Sequence, residues 1–205
     1  MLALPPRADL GRRLLQLFPG LVLCGVGLSL MVLARLGLGP WDVLHQGMSD
    51  RTGLPIGTVV ILVGFAVLLG WVPLRQRLGV GTICNVVVIG LVMDAVLALA
   101  SEPRDLVARW VCLLGGVTLM GLGSGLYIGA GLGPGPRDGL MTGLAARGHS
   151  LRLVRTLIEV SALAVGWVLG GTVGVGTLVF AFGIGPLVQL FLGPLTVPTL
   201  SVGAE

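Results

Sequence analysis

Six apolar stretches, near residues 17–36, 56–73, 80–100, 110–131, 152–170 and 175–193, divide the chain, and polar residues are confined largely to the short segments between them. Each is about 20 residues long, the length a helix needs to cross a hydrocarbon layer of roughly 30 Å, and none alternates apolar with polar positions as a barrel strand does. The pattern predicts an all-α membrane protein with six transmembrane helices. After the first and the fourth stretch comes a shorter segment of mixed character. In the first of these Trp41, Leu44 and Met48 share one helical face while Asp42, His45, Gln46 and Ser49 take another. Each such segment is expected to be an amphipathic helix, interfacial or re-entrant.

The two mixed segments are spelled almost alike: "LGLGPWDVLHQG" at residues 36–47 and "LGPGPRDGLMTG" at residues 132–143. A shift of about 96 residues pairs Leu36, Gly37, Gly39, Pro40, Asp42, Leu44 and Gly47 with Leu132, Gly133, Gly135, Pro136, Asp138, Leu140 and Gly143. "GVGT" at Gly79–Thr82 returns at Gly174–Thr177, and Gly90 pairs with Gly185. One membrane domain, 1–205, is therefore expected to hold repeat 1 over about 17–100 and repeat 2 over about 110–193. Three crossings per half, an odd number, invert the second half relative to the first and put one copy of the motif toward each face of the bilayer.

Hydrophobic residues make up 55% of the chain and charged ones only 11%, so its main solvent is lipid. All thirteen basic residues are arginine, and the net charge is +4. Arg7, Arg12, Arg13, Arg75, Arg77, Arg137, Arg147, Arg152 and Arg155 fall on the side of the N-terminus, against Arg35, Arg51, Arg104 and Arg109 on the other. The positive-inside rule then puts both termini in the cytoplasm. Arginines at the ends of apolar runs are orientation signals, and no groove-reading motif accompanies them, so no nucleic-acid partner is expected.

A helix ending in "LGLGPWDVL", a link with "TGLPIGT", and a third helix opening "GTICN" and running to "IGLVMD" resemble the bacterial YczE and YitT-type membrane proteins, YczE most of all. The resemblance covers nearly the whole chain and implies a multi-pass protein of the bacterial plasma membrane. The second half departs from the first in carrying Arg137 in place of Trp41 and Phe180 in place of Asn85. Roles for Trp41 and Asn85 are therefore open to one half only.

Gly37, Gly39 and Pro40, like Gly133, Gly135 and Pro136, suit a sharp turn that restarts a helix, and Asp42 and Asp138 follow where a carboxylate complements the positive helix end. Two readings stand side by side: a capped corner that only packs the bundle, or a broken helix aimed at a solute, as in inverted-repeat transporters. Under the second, Asp42, Asp138, Trp41, Arg137, His45 and Asn85 are substrate or gate candidates. Asp94, Glu159 and Arg155 are intramembrane charge candidates, with an Arg155–Glu159 pair one turn apart and, for Asp94, a hydrogen bond within the bundle as the structural alternatives. Gly121, Gly125 and Gly129 form a small-residue ladder, answered by Gly25 and Ser29 in the matching first helix; they are expected to serve packing by close backbone approach, and the two helices are expected to meet at the pseudo-symmetric centre. Thr82 and Thr177 are expected as helix caps.

Cys24, Cys84 and Cys112 lie in apolar runs without ligand spacing, and the two histidines, His45 and His149, stand apart, so neither metal nor cofactor is expected. No catalytic motif is present, and the chain is not expected to be an enzyme. The leading expectation is a small secondary transporter or permease, working by alternating access on a small solute or ion, with a homodimer open. A cation suits the paired aspartates better than an anion. The alternative is a non-transporting scaffold or accessory protein.

Overall fold

A computed structural model describes residues 9–197. Arg7 and the two chain ends, used above to orient the bundle, lie outside them. The described residues form eight helices: α1 (Leu10–Ala34), α2 (Pro40–Thr52), α3 (Ile56–Leu74), α4 (Val80–Leu99), α5 (Leu106–Gly129), α6 (Pro136–Ala145), α7 (Leu151–Val168) and α8 (Val175–Leu195). Of these α1, α3, α4, α5 and α8 are long and apolar enough to cross a membrane. The helix expected at 152–170 is α7, 18 residues long, which carries Arg152, Arg155 and Glu159.

α2 and α6 begin where the repeated motif says they should, and for the same backbone reason. Gly37 and Gly133 take φ of 112° and 129°, the left-handed region that costs glycine little and other residues much. Gly39 and Gly135 then stand as extended N-caps with φ/ψ of −62°/156° and −60°/156°, and Pro40 and Pro136 take the first helical position, where proline's missing N–H is not needed. Neither helix lies flat on a surface. α2 packs against α7 and α3, while α6 packs against α3 and α7. The polar face of α2 is turned inward, with Asp42 and His45 only 1% and 2% exposed. They meet other charges there.

α1 and α5 cross at the centre of the bundle, and glycines set the distance of approach. A methyl group on Gly123 would lie 2.6 Å from the Gly20 carbonyl oxygen, and one on Gly27 would lie 2.7 Å from that of Gly116. The two contacts exchange under the repeat, since Gly20 corresponds to Gly116 and Gly27 to Gly123. The two helices thus meet as expected, but through these glycines rather than through the Gly121, Gly125 and Gly129 ladder, which packs elsewhere. That ladder faces Leu187, Phe191 and Leu195 of α8, and Gly25 faces Val92 of α4, because the i, i+4 stripe lies on a different side of the helix from the i, i+7 pair at the crossing.

A second exchange of contacts ties each motif to the opposite half. The Gly176 N–H donates to the Leu36 carbonyl at 2.7 Å and the Gly81 N–H to the Leu132 carbonyl at 2.9 Å. Each GVGT turn thus holds the other repeat's motif. Thr82 reaches across too, its hydroxyl donating to the Pro134 carbonyl at 2.8 Å, while Thr177 accepts from the Gly174 N–H at 3.2 Å as a cap.

The halves differ at one seam. α3 and α4 are packed together, with Gly57 against the Gly90 backbone and Gly64 against Val86, whereas α7 and α8 make at most marginal contact. Gly185, the counterpart of Gly90, has open space around its Cα. Gly90→Ala is accordingly expected to lower stability by about 1–3 kcal/mol through overpacking against Gly57 and Ile61. Gly185→Ala is expected to leave it unchanged or raise it by up to about 1 kcal/mol through helix propensity. Thermal unfolding of the two purified variants in detergent measures the difference, and equal losses would mean that the α7–α8 seam is closed.

Candidate functional site

Both copies of the motif, expected one toward each face, reach the wall of a single cavity of about 420 Å³. Residues of all eight helices line it, α1 through Leu28. Trp41, Asp42, His45, Asn85, Arg137 and Asp138 all line it, as do Arg155 and Glu159. The size is within the range of small-molecule sites, and the rest of the wall is mainly aliphatic, with Val60, Val63, Val67 and Ile89 prominent. α7 and α8 both contribute to this wall without packing on one another, so the wall is incomplete between them.

The first motif supplies a buried anion and the second a cation. Arg137 Nη2 lies 3.4 Å from Asp42 Oδ1, and its guanidinium carbon stands 5.1 Å from the centre of the Trp41 ring. His45 Nδ1 also lies 3.4 Å from Asp42 Oδ1. Burial alone pushes the Asp42 carboxyl up, but the Arg137 charge and the His45 and Arg137 hydrogen bonds outweigh it and hold the group below its ordinary value. Burial likewise lowers His45, so its imidazole is neutral and donates Nδ1–H to the carboxylate. The substitution that sets the two motifs apart, Trp41 in one and Arg137 in the other, is what lets them interlock.

The second aspartate has a different setting. Asp138 faces the cavity with one oxygen 3.5 Å from the Tyr127 hydroxyl. Asp138 is open to the cavity rather than sealed in the bundle, yet the protein atoms around it still raise the carboxyl, a shift that Arg137 and Arg155 oppose without cancelling. The sign follows from linkage: a carboxyl raised by folding contributes nothing unfavourable below its unfolded value and destabilises increasingly as pH rises through its folded value. The wild-type protein is therefore expected to lose more thermal stability than Asp138→Asn as pH is raised from about 4 to 8. A parallel decline in both proteins would remove Asp138 as the cause.

The remaining charge candidates separate into two kinds. Arg155 Nε lies 2.9 Å from Glu159 Oε1, an i, i+4 pair on the cavity side of α7, exposed by 59% and 34%. Asp94 does not reach the cavity. Its carboxylate accepts from the Gly57 N–H at 2.6 Å, a donor at the first turn of α3 that the helix itself leaves free, and from the Thr58 hydroxyl at 2.8 Å. Asp94 is thus a helix cap supplied from a neighbouring helix.

One participant is missing from the candidates that the sequence offers. Tyr127, the only tyrosine of the chain, is buried on α5 one turn ahead of the second motif and lines the cavity. Its uniqueness was the available signal. Arg13, read as an orientation signal, is buried and donates to the Ala130 carbonyl at 2.8 Å, while the Gln16 amide donates to Leu126 and Leu195 at 3.0 and 2.5 Å. These carbonyls belong to the C-terminal ends of α5 and α8, and nothing in a linear pattern shows where a neighbouring helix stops.

The fold and cavity describe a helical membrane protein with a largely aliphatic chamber that carries a few charged groups. Comparison with known proteins agrees on the membrane class: the chain belongs to the family described as "Family of unknown function (DUF6198)", whose model matches residues 11–193. It is 44% identical over 84% of its length to an "Uncharacterized protein" of Haemophilus influenzae (strain ATCC 51907 / DSM 11121 / KW20 / Rd), covering 79% of that chain. It is 32% identical over 85% of its length to "Uncharacterized membrane protein YczE" of Bacillus subtilis (strain 168), covering 83% of it. "Uncharacterized protein YyaS" of the same Bacillus strain is 26% identical over 84% of the chain and is covered to 89%. No solved structure matches the chain.

Proposed function

We propose that the protein is a small secondary transporter in which two inverted repeats, with six crossings counting α7, hold a solute between them and expose it to each side in turn. The observation that carries this reading is the convergence of both GPxD motifs, one from each half, on one cavity of about 420 Å³. The reciprocal contacts Gly20 with Gly123 and Gly116 with Gly27 are what a two-fold axis in the membrane plane would generate. The unequal seams add to it. A closed α3–α4 pair beside an open α7–α8 pair is the arrangement expected of one state of such a pair, the other state having the seams reversed.

On this reading the protein sits in the bacterial plasma membrane with both termini in the cytoplasm, and Asp42 with Arg137 forms the polar link that must rearrange between states. The test is counterflow in proteoliposomes, screened over radiolabelled amines, amino acids and inorganic ions. Saturable exchange of one solute class, lost in Asp42→Asn, is the expected result. Binding without any exchange would instead support a non-transporting membrane receptor or scaffold.

A further inference from the structure

Resting on the transporter reading, we infer that the cavity's ligand is an organic ammonium ion with an apolar body, which takes the place of the Arg137 guanidinium on Asp42 and Trp41. The first ground is an under-satisfied anion. Asp42 is 1% exposed; its Oδ1 has only two contacts, both long at 3.4 Å, and its Oδ2 has no hydrogen-bond partner. A buried carboxylate normally has its lone pairs matched by donors. Here one side lacks them, on a residue that lines the cavity.

The second ground is what this corner already holds. Arg137 lies over the Trp41 ring at 5.1 Å and beside Asp42, with 28% of its side chain exposed, so an aromatic face and a carboxylate together bind a tethered cation. A free ammonium ion offers the same charge with up to three donors in place of the guanidinium's long contact. The third ground is the sign of the wall. The carboxyl groups of Asp42, Asp138 and Glu159 face the guanidinium groups of Arg137 and Arg155, each guanidinium has a carboxylate partner, and His45 and Tyr127 are the other titratable groups on the wall. An anionic ligand would join a wall that already holds three carboxyl groups against two guanidinium groups, whereas a cation displaces one tethered cation. The aliphatic wall suits a short hydrocarbon body.

Arg137 comes from the second repeat and Asp42 from the first, so exchanging guanidinium for ligand also releases one repeat from the other. Binding and rearrangement would share one contact.

The test is calorimetric titration of the full-length protein in lipid nanodiscs with n-hexylammonium, n-hexanol and hexanoate, after subtracting the heats for empty nanodiscs. Saturable binding by the ammonium ion, about tenfold or more tighter than by the other two, is expected from a hydrogen bond to a charged partner. Arg137→Gln is expected to bind n-hexylammonium more tightly than wild type, and Asp42→Asn more weakly. The three-ligand comparison uses wild-type protein and so stands whether or not a variant folds. Preference for hexanol or hexanoate would overturn the assignment while leaving the cavity as a binding site. Absence of saturable binding by all three would overturn it as well, and an affinity that both substitutions leave unchanged would show that the ammonium ion binds elsewhere. Ammonium binding without counterflow would refute transport and leave the ligand class intact.

Discussion

Arg137→Ala is expected to lower the stability of the folded protein by about 3 kcal/mol or more, because it strips the principal counter-charge from a carboxylate buried to 1% exposure. Double substitution with Asp42→Asn is expected to recover most of that loss, since removing both charges leaves no buried ion to compensate. The pH response should invert as well. In the wild type Asp42 is held below its ordinary value, so it contributes stability above its unfolded value and loses it as pH falls through the folded value. Without Arg137 the burial effect dominates, the carboxyl moves up, and the variant is expected to recover stability on acidification. Unfolding of the single and double variants across the acidic range measures both effects. A small loss for Arg137→Ala, unaffected by Asp42→Asn, would mean that the two side chains are not coupled.

The second large effect concerns the central crossing. Gly123→Leu is expected to lower stability by about 3 kcal/mol, at the upper end of overpacking costs, because the first carbon of any side chain there meets the Gly20 carbonyl at 2.6 Å and the Cys24 backbone nitrogen at 2.8 Å. Both obstacles are backbone and cannot swing aside. Helix association within lipid depends on such close approach. Gly115→Leu on the same helix, where nothing lies within 4 Å, is expected to leave the melting temperature within a few degrees of wild type. Equal behaviour of the two variants would show that α1 and α5 do not cross at these glycines.

The helices were legible because lipid demands long apolar runs, and α2 and α6 because glycine, proline and aspartate mark a restart wherever they occur in this order. The chemistry of the site was only half legible. Asp42, His45 and Arg137 could be picked out by type and by the repeat, yet their meeting depends on the crossing of two helices whose contact glycines recur at i, i+7, and the more conspicuous i, i+4 ladder pointed to α8. Asp94 had two readings, an ion path or a hydrogen bond within the bundle, and the structure shows the hydrogen bond. Its partners are in the first turn of α3, which is distant in sequence. The α7–α8 opening had no sequence signal, since Gly185 and Gly90 read alike and differ only in what stands opposite them.

The transporter proposal requires the two halves to be inverted, and membrane sidedness measures that directly. Single cysteines at Thr52→Cys, at the end of α2, and Ala146→Cys, just beyond α6, would be introduced after replacing Cys24, Cys84 and Cys112, both positions being exposed. A membrane-impermeant maleimide is predicted to modify Thr52→Cys in intact cells and Ala146→Cys only in inside-out vesicles. Modification of both from the same side would make the halves parallel and end the account of a cavity shared between inverted repeats.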